Sequence, residues 1–314
     1  MPPTLQSAED QPAVARPLQR ADLGRIATAA GVPVDVIEKD YVLSYLLAGI
    51  TEVPDLAGLR FKGGTALKKT IFGPSYRFSE DLDFSAINVP QGVEIEPHVN
   101  AAVRAAEQRL TQRGRFRVEF DRPPEKRQHP KGQDAFRVRV AFPWQKEPNV
   151  RVKLEITHDE PVLLPTHSHP LLHGYEDIGE SGALAGISVE TYALEEIVAE
   201  KLRALRQTHQ RLEERGWNRP RARDYYDLWR LLTDFEAAID PEAVRRVLPD
   251  KMTHRGVGYA SVEDFFTTPL VSAARRNWQS NLGNFVDNLP DVDEVLTDLR
   301  PRIASLLGSL APRK

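Results

Sequence analysis

Two aspartates one residue apart, Asp81 and Asp83 in the run Ser79-Glu80-Asp81-Leu82-Asp83-Phe84, are the pair in this sequence best suited to chemistry. On an extended strand they share one face while Leu82 and Phe84 take the other. Two neighbouring carboxylates repel unless a cation lies between them, and the apolar residues on the opposite face set this run apart from an acidic surface stretch. Upstream, Phe61-Lys62-Gly63-Gly64-Thr65 joins a short strand to a helix. Glycines let the backbone approach a ligand closely, and free N–H groups at a helix start favour phosphate. A glycine pair at a turn is also common without any ligand, and no Gly-Lys-Ser/Thr follows at the spacing of a Walker A loop. Downstream, Val150, Val152, Leu154 and Ile156 alternate with Arg151, Lys153 and Glu155. Glu155 is either a solvated strand residue or a third carboxylate. Read together, the three pieces point to hard oxygen ligands for Mg²⁺ (or Mn²⁺) around an in-line phosphoryl displacement.

The second half of the chain adds two candidates. In the helix expected from Tyr192 to about Glu214, Lys201 falls on the apolar stripe of Leu194, Ile197, Val198, Leu202 and Leu205. It either snorkels to solvent or points into a cleft to bind triphosphate. In Arg221-Ala222-Arg223-Asp224-Tyr225-Tyr226-Asp227-Leu228, Asp224 shares a side with Leu228 and Leu231 and needs a partner, for which Lys201 or a bound ion could serve. Asp227, one turn on, reads as an ordinary flanking acid. The histidines His158, His167, His169 and His173 show no helix-facing ligand spacing, and no Gly-x-Ser-x-Gly elbow is present.

The elements that must position these groups follow from periodicity. Helices are expected from Pro33 to Leu47, Thr65 to Phe72 and Ala101 to Gln112. Strands are expected at Leu59–Lys62, Asp81–Ser85, Phe116–Phe120, Ala135–Phe142 and Asn149–Thr157. Residues 1–20 read as a disordered tail. The Pro-, Gly- and His-rich stretch from Glu160 to Gly186 reads as a boundary, placing a mixed α/β core at 21–186 and a helical domain at 187–314.

Composition limits the alternatives. The 314 residues are 41% hydrophobic and 28% charged, an ordinary globular profile. No apolar run approaches the roughly 20 residues that span a bilayer, and the first 20 lack a stretch of signal-peptide length, so a cytoplasmic protein is expected. The absence of cysteine excludes disulfides, thiolate metal sites and a cysteine nucleophile. The formal net charge of −3 hides a strong asymmetry. Residues 101–153 hold 14 lysines and arginines against 6 acids, while residues 155–200 hold 10 acids and no lysine or arginine. Residues 201–230 swing back to 9 basic against 4 acidic. Such blocks suit a polyanion, and equally suit solvated arginine on a strand edge and a helix face.

Lys62-Gly63-Gly64-Thr65-Ala66-Leu67, Arg77-Phe78-Ser79-Glu80-Asp81-Leu82-Asp83-Phe84, Ala199-Glu200-Lys201-Leu202 and Arg223-Asp224-Tyr225-Tyr226-Asp227-Leu228 together resemble the AbiEii/AbiGii toxins. Those belong to the DNA polymerase β-like nucleotidyltransferase superfamily. Ile37-Glu38-Lys39-Asp40-Tyr41-Val42-Leu43 resembles the family's N-terminal helix, so the likeness runs over about residues 30–235. It implies a mixed sheet with flanking helices followed by a helical domain, an AbiEi-type antitoxin as partner, and NTP as substrate. It further implies nucleotide transfer, in several members to the 3′ end of tRNA, with translation blocked. By position, Asp81 and Asp83 would hold Mg²⁺, and Lys62, Gly63, Gly64, Thr65 and Ser79 would surround the nucleotide. Lys201 would clamp phosphate, Asp224 would be a catalytic carboxylate, and Glu155 fits the superfamily's third-carboxylate pattern. Arg137, Arg139, Arg151 and Lys153 would then track the acceptor RNA. Transfer to a protein or a small molecule, and a non-catalytic nucleotide-binding module, are the competing readings.

Overall fold

The computed structural model describes residues 16–124, 132–180, 182, 184–216 and 219–308. Its frame is a seven-stranded mixed sheet of β1 (Leu59–Lys62), β2 (Asp81–Ala86), β3 (Arg117–Asp121), β4 (Gln133–Ala141), β5 (Val150–Thr157), β6 (His167–Pro170) and β7 (Ser188–Thr191), in the order β3-β4-β5-β2-β1-β7-β6. β2 runs parallel to β5 and antiparallel to β1, and β7 runs parallel to β1. The alternation read from the sequence appears as burial: Phe136, Val138 and Val140 of β4 and Val152, Leu154 and Ile156 of β5 are all buried. That apolar face is packed by α1 (Arg20–Ala29), α2 (Val34–Thr51) and α4 (Glu96–Thr111), whose buried residues join the same cluster.

The chain between β1 and β2 starts with a short α3 (Gly63–Ala66) and widens into a π-helical turn over Leu67–Phe72. The wider turn sends two consecutive lysines inward. Lys69 Nζ reaches Asp40 Oδ2 of α2 at 2.6 Å and Ser44 Oγ at 2.9 Å. Lys68 Nζ donates to the carbonyls of Pro74 and Tyr76 and lies 3.9 Å from the Phe78 ring centroid, and burial pulls its pKa down to about 8.

A second apolar cluster gathers α5 (Leu194–Arg215), α6 (Ala222–Asp234), α7 (Pro241–His254), α8 (Thr268–Leu282) and α9 (Val292–Leu307). The sheet continues past residue 186, because β7 pairs with β6 and with β1, and the helices begin only at Leu194. Both strands are four residues long with no apolar alternation, which is why the sequence reads them as loop. Residues 1–15 of the expected tail lie outside the described residues. Residues 16–20 are not tail: Leu18 is buried with its amide donating to Arg113 O at 2.8 Å, and Arg16 holds Asp22 through two 2.8 Å bonds.

The two clusters are tied together at Asp227, which is fully buried rather than an ordinary flanking acid. Its carboxylate accepts from Arg77 Nε and a terminal guanidinium nitrogen, from the Tyr76 hydroxyl and from Lys201 Nζ. Those two cations hold it far below the usual carboxylate range against the opposing effect of burial. A helical-wheel reading could not find this role, since the Tyr76 and Arg77 partners lie some 150 residues away in sequence. Asp227→Ala leaves Arg77 and Lys201 buried without their anion, and should cost about 3–5 kcal/mol of stability. Urea unfolding of the variant checks this, and a loss below about 1 kcal/mol would refute it.

Candidate active site

Register places the chemistry. Lys62 of β1 pairs with Asp83 of β2, which pairs in turn with Glu155 of β5, and Asp81 pairs with Lys153. These five side chains therefore share one face of the sheet, while Leu82 and Phe84 anchor the opposite face in the core. Gly63 follows at φ +81°, and a Cβ built there would stand 3.0 Å from Asp83 Oδ2, so a side chain would be strained and would crowd the carboxylate. Gly64 has a different reason: a Cβ there would come within 2.1 Å of the Arg77 guanidinium. Its absent side chain makes room for Arg77 rather than for phosphate. Burial pushes the Asp83 carboxyl up to about 7, with Glu155 beside it adding to the rise and Lys62 opposing it. Asp81 is raised as well, by burial first and then by Glu80 and Glu155.

Opposite this face stands α5. Between them lies a cleft of about 210 Å³ lined by Lys62, Gly63 and Asp83 from the sheet side, Glu200, Lys201, Arg203 and Ala204 from α5, and Arg221 and Asp224 from the start of α6, with Glu160 and Tyr192. Lys201 is buried at the cleft wall, its ammonium shared between Asp227 and, at 3.3 Å, Asp224 Oδ1. It does not snorkel. Asp224 is partly exposed and also faces Arg221 at 3.3 Å. Lys62, Gly63, Asp83, Lys201 and Asp224, separated by up to 162 positions in the sequence, are thus brought to one place.

Other expected residues sit elsewhere. Thr65 is buried and its hydroxyl donates to the Asp81 carbonyl, so it braces the aspartate strand instead of facing the cleft. Ser79 is half-buried, two residues before Asp81, and is not among the residues lining the cleft. Glu155 is turned to Gln133 Nε2 and, at 2.7 Å, to Lys153 Nζ. Among the described residues no three carboxylate or imidazole groups therefore converge on one point. Asp81 and Asp83 still offer two hard oxygen donors whose repulsion a dication relieves. Mg²⁺ usually takes one or two carboxylates and completes its shell with water and substrate phosphate. The donor set fits a cation on Asp81 and Asp83, with the neighbouring Glu155 carboxylate engaged by Gln133 and Lys153. The sequence reading missed Glu160, Arg203 and Arg221 as cleft residues, and only the change from acidic to basic composition at residue 201 hinted at them.

The basic block falls on the same sheet face. Arg137 pairs in register with Lys153 and Arg139 with Arg151, so the four continue outward from Asp81 across β5 and β4. Arg137 and Lys153 side chains are 46% and 47% exposed, enough to meet a macromolecule. Arg139 is partly neutralised by Glu119 at 2.9 Å, and Arg137 faces Asp121 at 4.0 Å.

Against known proteins, a family model described as "Nucleotidyl transferase AbiEii toxin, Type IV TA system" matches residues 45–298. No curated protein matches the chain. Among solved structures it is similar to MenT4, a nucleotidyltransferase toxin from Mycobacterium tuberculosis H37Rv, at 24% identity and a TM-score of 0.67, over 94% of this chain and 91% of that one. At that identity the likeness shows the fold, including the helical second half. The family match spans both the aspartate strand and the Lys201 and Asp224 helices, and on it the chain belongs to the AbiEii nucleotidyl transferase toxin family of type IV toxin–antitoxin systems.

Proposed function

We propose that this nucleotidyltransferase toxin moves a nucleoside monophosphate from an NTP to the 3′ end of tRNA in the cytoplasm, blocking translation until its antitoxin counters it. The observation that carries the acceptor assignment is the shared sheet face: the stripe of Arg137, Arg139, Arg151 and Lys153 leads without a break to Lys153 beside Asp81. A polyanionic strand lying along that stripe has its end delivered to the aspartates. A cationic small-molecule acceptor would be repelled by the same residues.

In the reaction, the acceptor hydroxyl attacks the α-phosphate and pyrophosphate leaves. Lys62 and Lys201, on opposite walls of the cleft, attract the triphosphate, and Gly63 leaves the backbone open beside Asp83. Asp224 and Asp227 hold the Lys201 ammonium in place, so the lysine meets phosphate without first reorganising. Asp81 and Asp83 would hold a divalent cation, which would supply Lewis-acid charge to lower the hydroxyl pKa and offset charge developing at phosphorus.

Purified protein incubated with total tRNA, Mg²⁺ and each α-labelled NTP in turn should label tRNA, and Asp81→Ala or Asp83→Asn should lower the rate at least about 10²–10³-fold with the fold retained. Label in protein or a small molecule instead of tRNA would overturn the acceptor. Arg137→Glu with Arg139→Glu should weaken tRNA binding and flatten the log–log salt dependence by roughly one unit for each phosphate no longer neutralised, and an unchanged slope would remove them from the interface. For the metal-free protein, the raised Asp83 pKa fixes a sign. The folded chain binds the Asp83 proton more tightly than the unfolded chain, so this contribution to stability is full below about pH 4 and is lost as pH rises to about 7. Asp83→Asn should remove that loss from the chelated protein's melting profile, and Mg²⁺ should raise the wild-type melting temperature more at pH 8 than at pH 6.

A further inference from the structure

Glu160 lies on the loop after β5, is 5% exposed, and faces three cations from three separate parts of the chain. One carboxylate oxygen binds Lys62 Nζ, and the other lies 3.6 Å from Arg203 and 3.4 Å from Arg255. Glu200 shares Arg203, so Lys62, Arg203 and Arg255 meet two carboxylates, an excess of positive charge suited to a more highly charged anion. Arg203 also binds Glu200 through a terminal nitrogen, but its Nε is buried and has no hydrogen-bond partner among the described residues, so donor capacity beside Glu160 is uncommitted. The loop itself is pinned. Pro161 O accepts from Lys251 Nζ at 2.6 Å, and the Leu163 and Leu164 amides donate to Glu196 at 2.9 Å.

We propose that Lys62, Arg203 and Arg255 form an anion subsite for the terminal phosphates of the NTP, and that the Glu160 carboxylate fills it when no nucleotide is bound. The assignment rests on the NTP reading of the same cleft. It gives Glu160 two effects: it neutralises Lys62 and Arg255 and shares Arg203 with Glu200 when no nucleotide is bound, and it competes with incoming phosphate. Nucleotide affinity is then the difference between the two anions. An NTP whose terminal phosphates take the subsite releases the glutamate toward solvent, while a monophosphate cannot reach it.

The test is calorimetric titration of the full chain with inorganic tripolyphosphate, without divalent metal and without any acceptor. Glu160→Gln should bind it about tenfold more tightly than wild type, and Arg255→Gln about tenfold more weakly. Glu160→Gln should also melt at a lower temperature when empty and gain more from tripolyphosphate than wild type does. A non-hydrolysable NTP should displace tripolyphosphate, and a nucleoside monophosphate should not. Equal or weaker binding by Glu160→Gln overturns the proposal, as does failure of the NTP to compete or absence of wild-type binding at millimolar tripolyphosphate. Should Glu160→Gln fail to fold, Arg255→Gln decides, and an unchanged affinity there overturns it. Because no transfer is read, failure of the tRNA assignment would leave these results standing.

Discussion

The carboxylate of Asp227 is the point from which the rest of the molecule is organised. It receives Arg77 and Tyr76 from the segment leading into the aspartate strand and Lys201 from α5. A buried anion with two cations and a hydroxyl around it admits few alternative arrangements, because each misplacement leaves a charge unsolvated. Through Arg77 it also explains Gly64, where any side chain would collide with the guanidinium. Through Lys201 it sets the wall of the cleft opposite Asp83. The tie that closes the two halves is therefore the tie that builds the site.

The site is a meeting of opposite fields. The sheet side carries Asp81, Asp83 and Glu155, crowded enough that burial and mutual repulsion hold the Asp83 pKa near neutrality. The α5 side carries Lys201 and Arg203, with Arg221 following at the start of α6. Like charges crowd each side, and each side suits a counter-ion of the opposite sign. Glu160, Asp224 and Asp227 supply anions that keep the cationic side stable, Glu160 from the β5–β6 loop and the other two from α6. The basic stripe stands apart from this balance, since Arg137, Arg139, Arg151 and Lys153 lie on the solvent side of β4 and β5, where Asp121, Glu119 and Glu155 face Arg137, Arg139 and Lys153.

The central sheet was legible because its strands alternate strictly. The bounds of β1 coincide with the expected Leu59–Lys62, and β2, β4 and β5 fall within one or two residues of the alternation. β6 and β7 were not legible. Four-residue strands rich in Ser, His and Pro carry no periodic signal, and their pairing is a property of the β1 edge they dock on. Helix α1 escaped because its anchors, the Arg16–Asp22 pair and Leu18 against Arg113, are tertiary or cross a segment that reads as polar tail.

The sequence by itself determined the local geometry of the chemistry: a period of two puts Asp81 and Asp83 on one side of a strand, and a period of 3.6 puts Lys201 on a buried stripe. It could not determine partners, because charge pairing depends on distance in space. Tertiary structure decided that Asp227 rather than Asp224 is the buried anion, that Thr65 braces a strand, that Glu155 turns to Gln133 and Lys153, and that Glu160 meets Lys62 across 98 positions. Each is the outcome of desolvating a polar group, which forces it to find whatever counterpart the fold brings near.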